Sequence, residues 1–199
     1  GLYLQSTDGG ELKLIQHKKK VQTSYEFVTK DGKYLYFRAN DIDPESYAIY
    51  RYEIQTAKTE LLFSEKGTWS VASHQKDGRL LLEKAITNLA SEYYEWNPTT
   101  KKLTPVLGQG EKVEYAVSYS PKPGEFIVKT NKFGDFHRLY RYKDGKWTDL
   151  SPKDLKWDVS DYDLSKKRKY LAYSINENGF TKTKLLRTSD WKEIPLPAF

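Results

Sequence analysis

The sequence predicts an all-β fold, a β-propeller of about four and a half four-stranded blades, and three observations carry that expectation. One phrase recurs four times: Asp31-Gly32-Lys33-Tyr34-Leu35-Tyr36-Phe37, Asp77-Gly78-Arg79-Leu80-Leu81-Leu82, Pro123-Gly124-Glu125-Phe126-Ile127-Val128 and Lys167-Arg168-Lys169-Tyr170-Leu171-Ala172-Tyr173. Its glycine position falls at 32, 78, 124 and, as Arg168, at 168, so the spacings are 46, 46 and 44 residues. A tight turn leading into an apolar run once per ~40–50 residues is how a propeller blade reads in sequence. Aromatic residues make up 15% of the chain against 38% for all hydrophobic types, with 16 Tyr, 5 Trp and 8 Phe. Rings favour strands and bury large areas, so core packing is the first role expected of them. Finally, no segment sustains helical periodicity.

With strands named A to D from the propeller axis outward, the first full blade (17–63) takes Val21 to Val28, Lys33 to Arg38, Ala48 to Ile54 and Glu60 to Phe63. The second (64–108) takes Thr68 to Ser73, Arg79 to Glu83, Glu92 to Trp96 and Leu103 to Leu107. Its Asn97-Pro98-Thr99-Thr100-Lys101 segment is turn chemistry, because Asn and Pro both favour bends. The third (109–151) takes Glu114 to Tyr119, Glu125 to Thr130, Arg138 to Tyr142 and Lys146 to Leu150, around the tight turn Lys143-Asp144-Gly145. The fourth (152–199) takes Asp158 to Asp163, Lys169 to Ser174, Lys184 to Thr188 and Lys192 to Leu196. Residues 1–16 form a hairpin around Asp8-Gly9-Gly10 that matches the C–D half of a blade. The expectation is a fragment of a longer, seven- to eight-bladed propeller. The absence of methionine, position 1 included, points to a processed or engineered piece.

Composition narrows the chemistry. With no cysteine, disulfides, thiolate zinc sites and cysteine nucleophiles are excluded. No run of 18 apolar residues is present, so no membrane span is expected, and the first residues do not read as a signal peptide. The net charge is +6, but the lysines are scattered through every predicted turn, and nucleic acid is not expected as a partner. The runs Lys18-Lys19-Lys20 and Lys166-Lys167-Arg168-Lys169 read as solvated turns.

Residues 156–196 carry Trp157-Asp158-Val159, Leu164-Ser165, Tyr170-Leu171-Ala172-Tyr173, Asn176-Glu177-Asn178-Gly179 and Pro195-Leu196-Pro197. This order resembles the N-terminal β-propeller of bacterial prolyl oligopeptidase-like (S9-type) serine peptidases, and Gly134-Asp135-Phe136-His137-Arg138-Leu139 is similar to a stretch of the same family. The family's S-P-D-G turn is intact nowhere: Ser120-Pro121-Lys122-Pro123-Gly124 is stretched, and Ser165-Lys166-Lys167-Arg168 lacks both Pro and Gly. The resemblance implies that catalysis resides in an α/β-hydrolase domain in cis, on a G-x-S-x-G elbow that this chain lacks. The propeller would then be non-catalytic and would gate access of peptide substrates. A stand-alone interaction platform, like the periplasmic propeller of the Tol system, is the alternative.

No catalytic residue is expected within the chain: His17, His74 and His137 lie in different blades with no motif that would pair a nucleophile with a base. Asp41-Ile42-Asp43-Pro44-Glu45 gathers carboxylates without the spacing of a calcium loop, so no metal and no cofactor are expected. Function is placed instead on the B–C loops, read as 38–46, 84–91, 131–137 and 176–181. Arg38, Asn40, Asp41, Lys84, Lys132, Asp135, Asn176 and Asn178 are the candidate substrate- or partner-facing residues. An open array leaves unpaired strand edges, so edge-to-edge self-association is expected. A periplasmic or secreted location is favoured over a cytoplasmic one.

Overall fold

The computed structural model describes residues 1–196; Pro197, the last proline of the Pro195-Leu196-Pro197 motif, lies outside the described residues. Every regular element among them is a β-strand. A two-stranded hairpin pairs β1 (Leu2–Leu4) with β2 (Lys13–Gln16). Four antiparallel four-stranded meanders follow. The first is β3 (Thr23–Val28), β4 (Tyr34–Asp43), β5 (Ser46–Glu53) and β6 (Lys58–Phe63). The second is β7 (Thr68–His74), β8 (Leu80–Ala85), β9 (Ser91–Trp96) and β10 (Leu103–Leu107). The third is β11 (Tyr115–Tyr119), β12 (Phe126–Thr130), β13 (Arg138–Lys143) and β14 (Lys146–Asp149). The fourth is β15 (Val159–Leu164), β16 (Tyr170–Glu177), β17 (Phe180–Arg187) and β18 (Lys192–Ile194). The chain is an all-β propeller array, a hairpin followed by four four-stranded sheets. Its described residues form two compact units: residues 1–88 with 92–107, and residues 89–91 with 108–196.

In the first unit the first blade is covered on both faces, which is why its strand B reads as a continuous apolar run instead of an alternation. Leu35, Phe37 and Ala39 of β4 pack with Ala48, Tyr50 and Tyr52 of β5 against Leu2, Leu4 and Ile15 of the hairpin. From the other face, Tyr36 and Ile49 meet Trp69, Leu80, Leu82 and Trp96 of the second blade. In the second unit Ile127 and Leu139 of the third blade pack against Val159, Leu171, Tyr173, Ile175 and Leu186 of the fourth.

The recurring A–B turn is one device with variable chemistry. In the first blade Gly32 N–H donates to the Thr29 carbonyl (2.8 Å), while Asp31 accepts from the Thr29 hydroxyl and the Lys33 amide. In the fourth, Arg168 N–H donates to the Ser165 carbonyl (2.6 Å), and the Tyr170 amide donates to the Ser165 hydroxyl. Gly32 has φ +69° and Arg168 has φ +56°, so Arg168 takes the left-handed geometry that glycine supplies in the first three blades. The turn survives the loss of Pro and Gly because its hydrogen bonds come from the backbone and from a serine or threonine side chain.

Two of the four expected B–C loops are not loops. The first blade's strands continue to Asp43 and restart at Ser46, leaving only Pro44 and Glu45 as the turn. Asp43 closes it by accepting from the Glu45 amide (3.0 Å) and the Ser46 hydroxyl (2.9 Å). The fourth blade's strands pair out to Glu177 and Phe180 across Asn178-Gly179, with φ +54° and +83°. Two successive positive φ values are what a two-residue type I′ hairpin turn requires, and Asn-Gly is its favoured dipeptide.

Candidate functional site

The eight candidate residues separate into those that hold the blades together and those at open connections. Arg38, Asn40 and Asp41 lie within β4, Lys84 within β8 and Asn176 within β16; the extended pairing of those strands removes them from the loops where sequence placed them. Asn178 is a turn residue, and Lys132 and Asp135 occupy a true loop of residues 131–137.

In the first unit, Arg38 belongs to a tie between blades. Its Nε lies 3.3 Å from Oε1 of Glu26 on β3, and its Nη1 donates to the Trp69 carbonyl on β7 (3.3 Å). The other Glu26 oxygen accepts from the Val71 amide at 2.9 Å. Burial raises the Glu26 carboxyl above its usual range, against the lowering effect of the Val71 amide and Arg38. Lys84 sits over the Trp69 ring, 5.3 Å from its centroid. Asn40 accepts from the Gln22 amide (2.7 Å) and donates to the Pro44 carbonyl (3.0 Å). Asp41 accepts from the Tyr50 hydroxyl at 2.6 Å. These side chains fasten strands and turns.

In the second unit, the loop of residues 131–137 is anchored at both ends. Lys132 Nζ lies 2.5 Å from Oε2 of Glu111 and 3.2 Å from the Tyr115 hydroxyl, which itself donates to Glu111 (2.5 Å). Burial and the Glu111 contact push the Tyr115 phenol up to about 12. Burial opposes ionisation of Glu111, but hydrogen bonds from Lys132 and Tyr115 outweigh it and hold the carboxyl below its ordinary value. His137 bridges two carboxylates: Nε2 is 3.1 Å from Glu114 Oε2 and Nδ1 is 3.1 Å from Asp158 Oδ1. Its backbone also pairs with the fourth blade, through the Asp158 side chain (2.6 Å) and the Val159 amide (2.9 Å). Asp135 is exposed at the loop tip, between exposed Phe133 and Phe136.

Sequence reasoning did not find Glu26, Tyr162 or the exposed apolar tips. Tyr162 lies on β15, and its hydroxyl faces the Ala116 carbonyl, the Ser118 hydroxyl and the Ile127 carbonyl at 3.2–3.3 Å, pegging the fourth blade to the third. No sequence signal specifies such a partner, because it depends on how blades stack. The tips were legible. An exposed apolar residue lies at the B–C end of each blade: Ile42 near the end of β4, Ile86 and Leu89 on the β8–β9 connection, Phe133 and Phe136 on the β12–β13 loop, and Phe180, which is 73% exposed, at the start of β17. Among the described residues no three His, Asp or Glu side chains converge on a point that a metal ion could occupy. Among the described residues no helix is long and apolar enough to cross a membrane.

The class of protein is thus set by the fold: a β-propeller array whose B–C ends are extended hairpins in the first and fourth blades and loops in the second and third. Solved structures share this fold. TolB from Acinetobacter baumannii superposes with a TM-score of 0.67 at 22% identity, over 94% of this chain and 46% of that one. A prolyl endopeptidase gives 0.67 at 16% identity, over 88% and 28%. The β-propeller domain of the trilobed protease from Pyrococcus furiosus, described as having an open velcro topology, gives 0.62 at 15% identity, over 92% and 57%. The resemblance to S9-type peptidase propellers drawn from residues 156–196 is therefore borne out in the fold. The chain spans less than half the length of the TolB and endopeptidase chains it matches. No family model and no curated protein sequence matches it.

Proposed function

We propose that this chain is the non-catalytic propeller portion of a prolyl oligopeptidase-like serine peptidase, one array of blades that shapes the access of peptides to an α/β-hydrolase domain in cis. The observation that carries this reading is the B–C end of the blades. The loop of residues 131–137, tied down by the Lys132–Glu111 pair, holds exposed Phe133 and Phe136, and the two-residue hairpin at Asn178-Gly179 holds exposed Phe180. A gate that excludes folded proteins needs such a wall, and exposed apolar residues on it suit contact with a neighbouring domain or with an extended peptide. The fold shared with a prolyl endopeptidase and with a protease propeller supports the same reading.

The test is the open reading frame on the 3′ side of the Phe199 codon. The expected result is further blades, then a strand–G-x-S-x-G–helix segment with Asp and His following in that order. A stop codon after further blades alone refutes it. The purified chain is expected to remain unlabelled by a fluorophosphonate probe, and stoichiometric labelling would refute the non-catalytic assignment. The equal superposition on TolB, with more of the chain covered, favours a stand-alone interaction platform as the second reading. The same reading frame separates the two.

A further inference from the structure

Lysines that are dispersed along the sequence are collected by the meander. In an antiparallel four-stranded sheet the A–B and C–D turns emerge at one end, and the B–C turn and the connection to the next blade at the other. In the second unit both blades point the same way. Lys122, in the A–B turn of the third blade, lies 5.9 Å from the ring centroid of Trp191 in the C–D turn of the fourth. At the far end, His137 and Asp158 make the corresponding join.

The A–B/C–D end is strongly cationic. Lys122, Lys143 and Lys146 come from the turns of the third blade. Lys166, Lys167, Arg168 and Lys169 form the A–B turn of the fourth, and Arg187 and Lys192 flank its C–D turn. Three carboxylates stand against these nine groups: Glu125, Asp144 and Asp190, leaving an excess of six. That equals the net charge of the whole chain, +6. Of the three, Glu125 is buried and faces Arg141 at 3.3 Å. The opposite end is balanced, with Lys132 beside Glu111, Lys153 beside Asp149 and Lys182 beside Glu177.

The cations decide the kind of polyanion. Seven of the nine are lysines, which are hydrated point charges on flexible stems, not the planar forks that read bases and single phosphates. Among the described residues of this unit, Tyr170 is the only exposed large apolar side chain at this end, so stacking platforms for unpaired bases are scarce. Lysines spread over separate hairpin tips match a sheet of phosphates met from one side. We propose that the A–B/C–D end of the second unit is a docking surface for an anionic lipid bilayer, with the Lys166-Lys167-Arg168-Lys169 turn at its centre. Binding is peripheral and electrostatic, each lysine contributes separately, and salt weakens it.

The experiment is co-sedimentation of the 199-residue chain with vesicles of phosphatidylglycerol in phosphatidylcholine, and with pure phosphatidylcholine vesicles as reference. The expected result is binding to the anionic vesicles alone, lost at high salt. The triple variant Lys166→Gln, Lys167→Gln, Lys169→Gln is expected to bind about a hundredfold more weakly, from the loss of three surface charges. Lys18→Gln, Lys19→Gln, Lys20→Gln removes the same charge at a B–C-side connection and is expected to bind as the parent does. Circular dichroism reads the fold of each. If the first triple misfolds, Lys143→Gln, Lys146→Gln, Lys192→Gln replaces it with the same expectation. Equal loss in both triples overturns the proposal, since bulk charge alone would then be acting. Binding to a single-stranded oligonucleotide without binding to anionic vesicles overturns it in favour of nucleic acid.

Discussion

Replacing Trp69 with alanine tests whether the blades of the first unit are held by stacked cores. Trp69 is 1% exposed and sits among Tyr36, Ile49, Phe63, Leu80, Leu82 and Trp96, which come from both blades. A buried aromatic side chain removes ~150–250 Å² from water, worth ~4–6 kcal/mol at ~25 cal/mol per Å². Residual burial in the unfolded chain lowers this by ~10–40%, leaving ~3–5 kcal/mol, the range usual for Trp→Ala in a core. Edge contacts with Phe63 (4.8 Å) and Tyr94 (5.5 Å) place the expected value toward the upper end. Urea denaturation followed by far-UV circular dichroism would show it as a midpoint lower by ~2 M, for a slope of ~2 kcal/mol per molar. Trp69→Phe keeps most of the ring area but loses the indole N–H bond to the Lys66 carbonyl (3.3 Å), so its expected cost is about 1 kcal/mol. A shift under ~0.5 M for the alanine variant, or equal losses for both, would refute the packing argument.

Three further outcomes are expected. Gly67→Ala should destabilise more than Gly179→Ala in thermal melts: Gly67 has φ +134°, farther from the left-handed region than the +83° of Gly179, and a Cβ there meets Nε1 of buried Trp69 at 3.3 Å besides the movable end of Lys84, whereas one at Gly179 meets open space. Tyr162→Phe should cost about 1 kcal/mol in urea, because carbonyls of Ala116 and Ile127 lose a donor. The Glu26 carboxyl is raised in the folded state by burial, so the native state retains its proton to higher pH than the unfolded chain does. Its contribution is therefore greatest below the unfolded value of 4.5 and is lost as pH rises through the folded one. Urea midpoints measured across that window should fall less steeply with pH in Glu26→Gln than in the parent, and identical slopes would contradict the burial argument.

Much of the fold was legible because blade geometry is local. The turn phrase at Gly32, Gly78 and Gly124, and its disguised form at Arg168, locates strands A and B by hydrogen bonds that close within six residues. The C–D turns at Asn97–Lys101 and Asp144-Gly145 are equally self-contained. Strand ends were harder. The polar run from Asn40 to Asp43 reads as a loop, yet it continues β4 because Asn40 and Asp41 spend their side chains on Gln22, Pro44 and Tyr50. The hairpin at Asn178-Gly179 carried its own signal and could have been read. Of the candidate residues, Lys132 and Asp135 lie on a loop, whereas Arg38 is a structural tie to Glu26.

By itself the sequence determined the strands, the blade period and the identity of the turns, since each depends on neighbours a few residues away. Only the tertiary structure decided which residues share a surface. It paired Arg38 with Glu26, set the Tyr162 hydroxyl among acceptors on a neighbouring blade, and turned lysines dispersed over dozens of residues into one cationic end. The reason is geometric: reversing direction at every turn places alternate turns at opposite ends of a blade, so residues remote in sequence come to lie side by side.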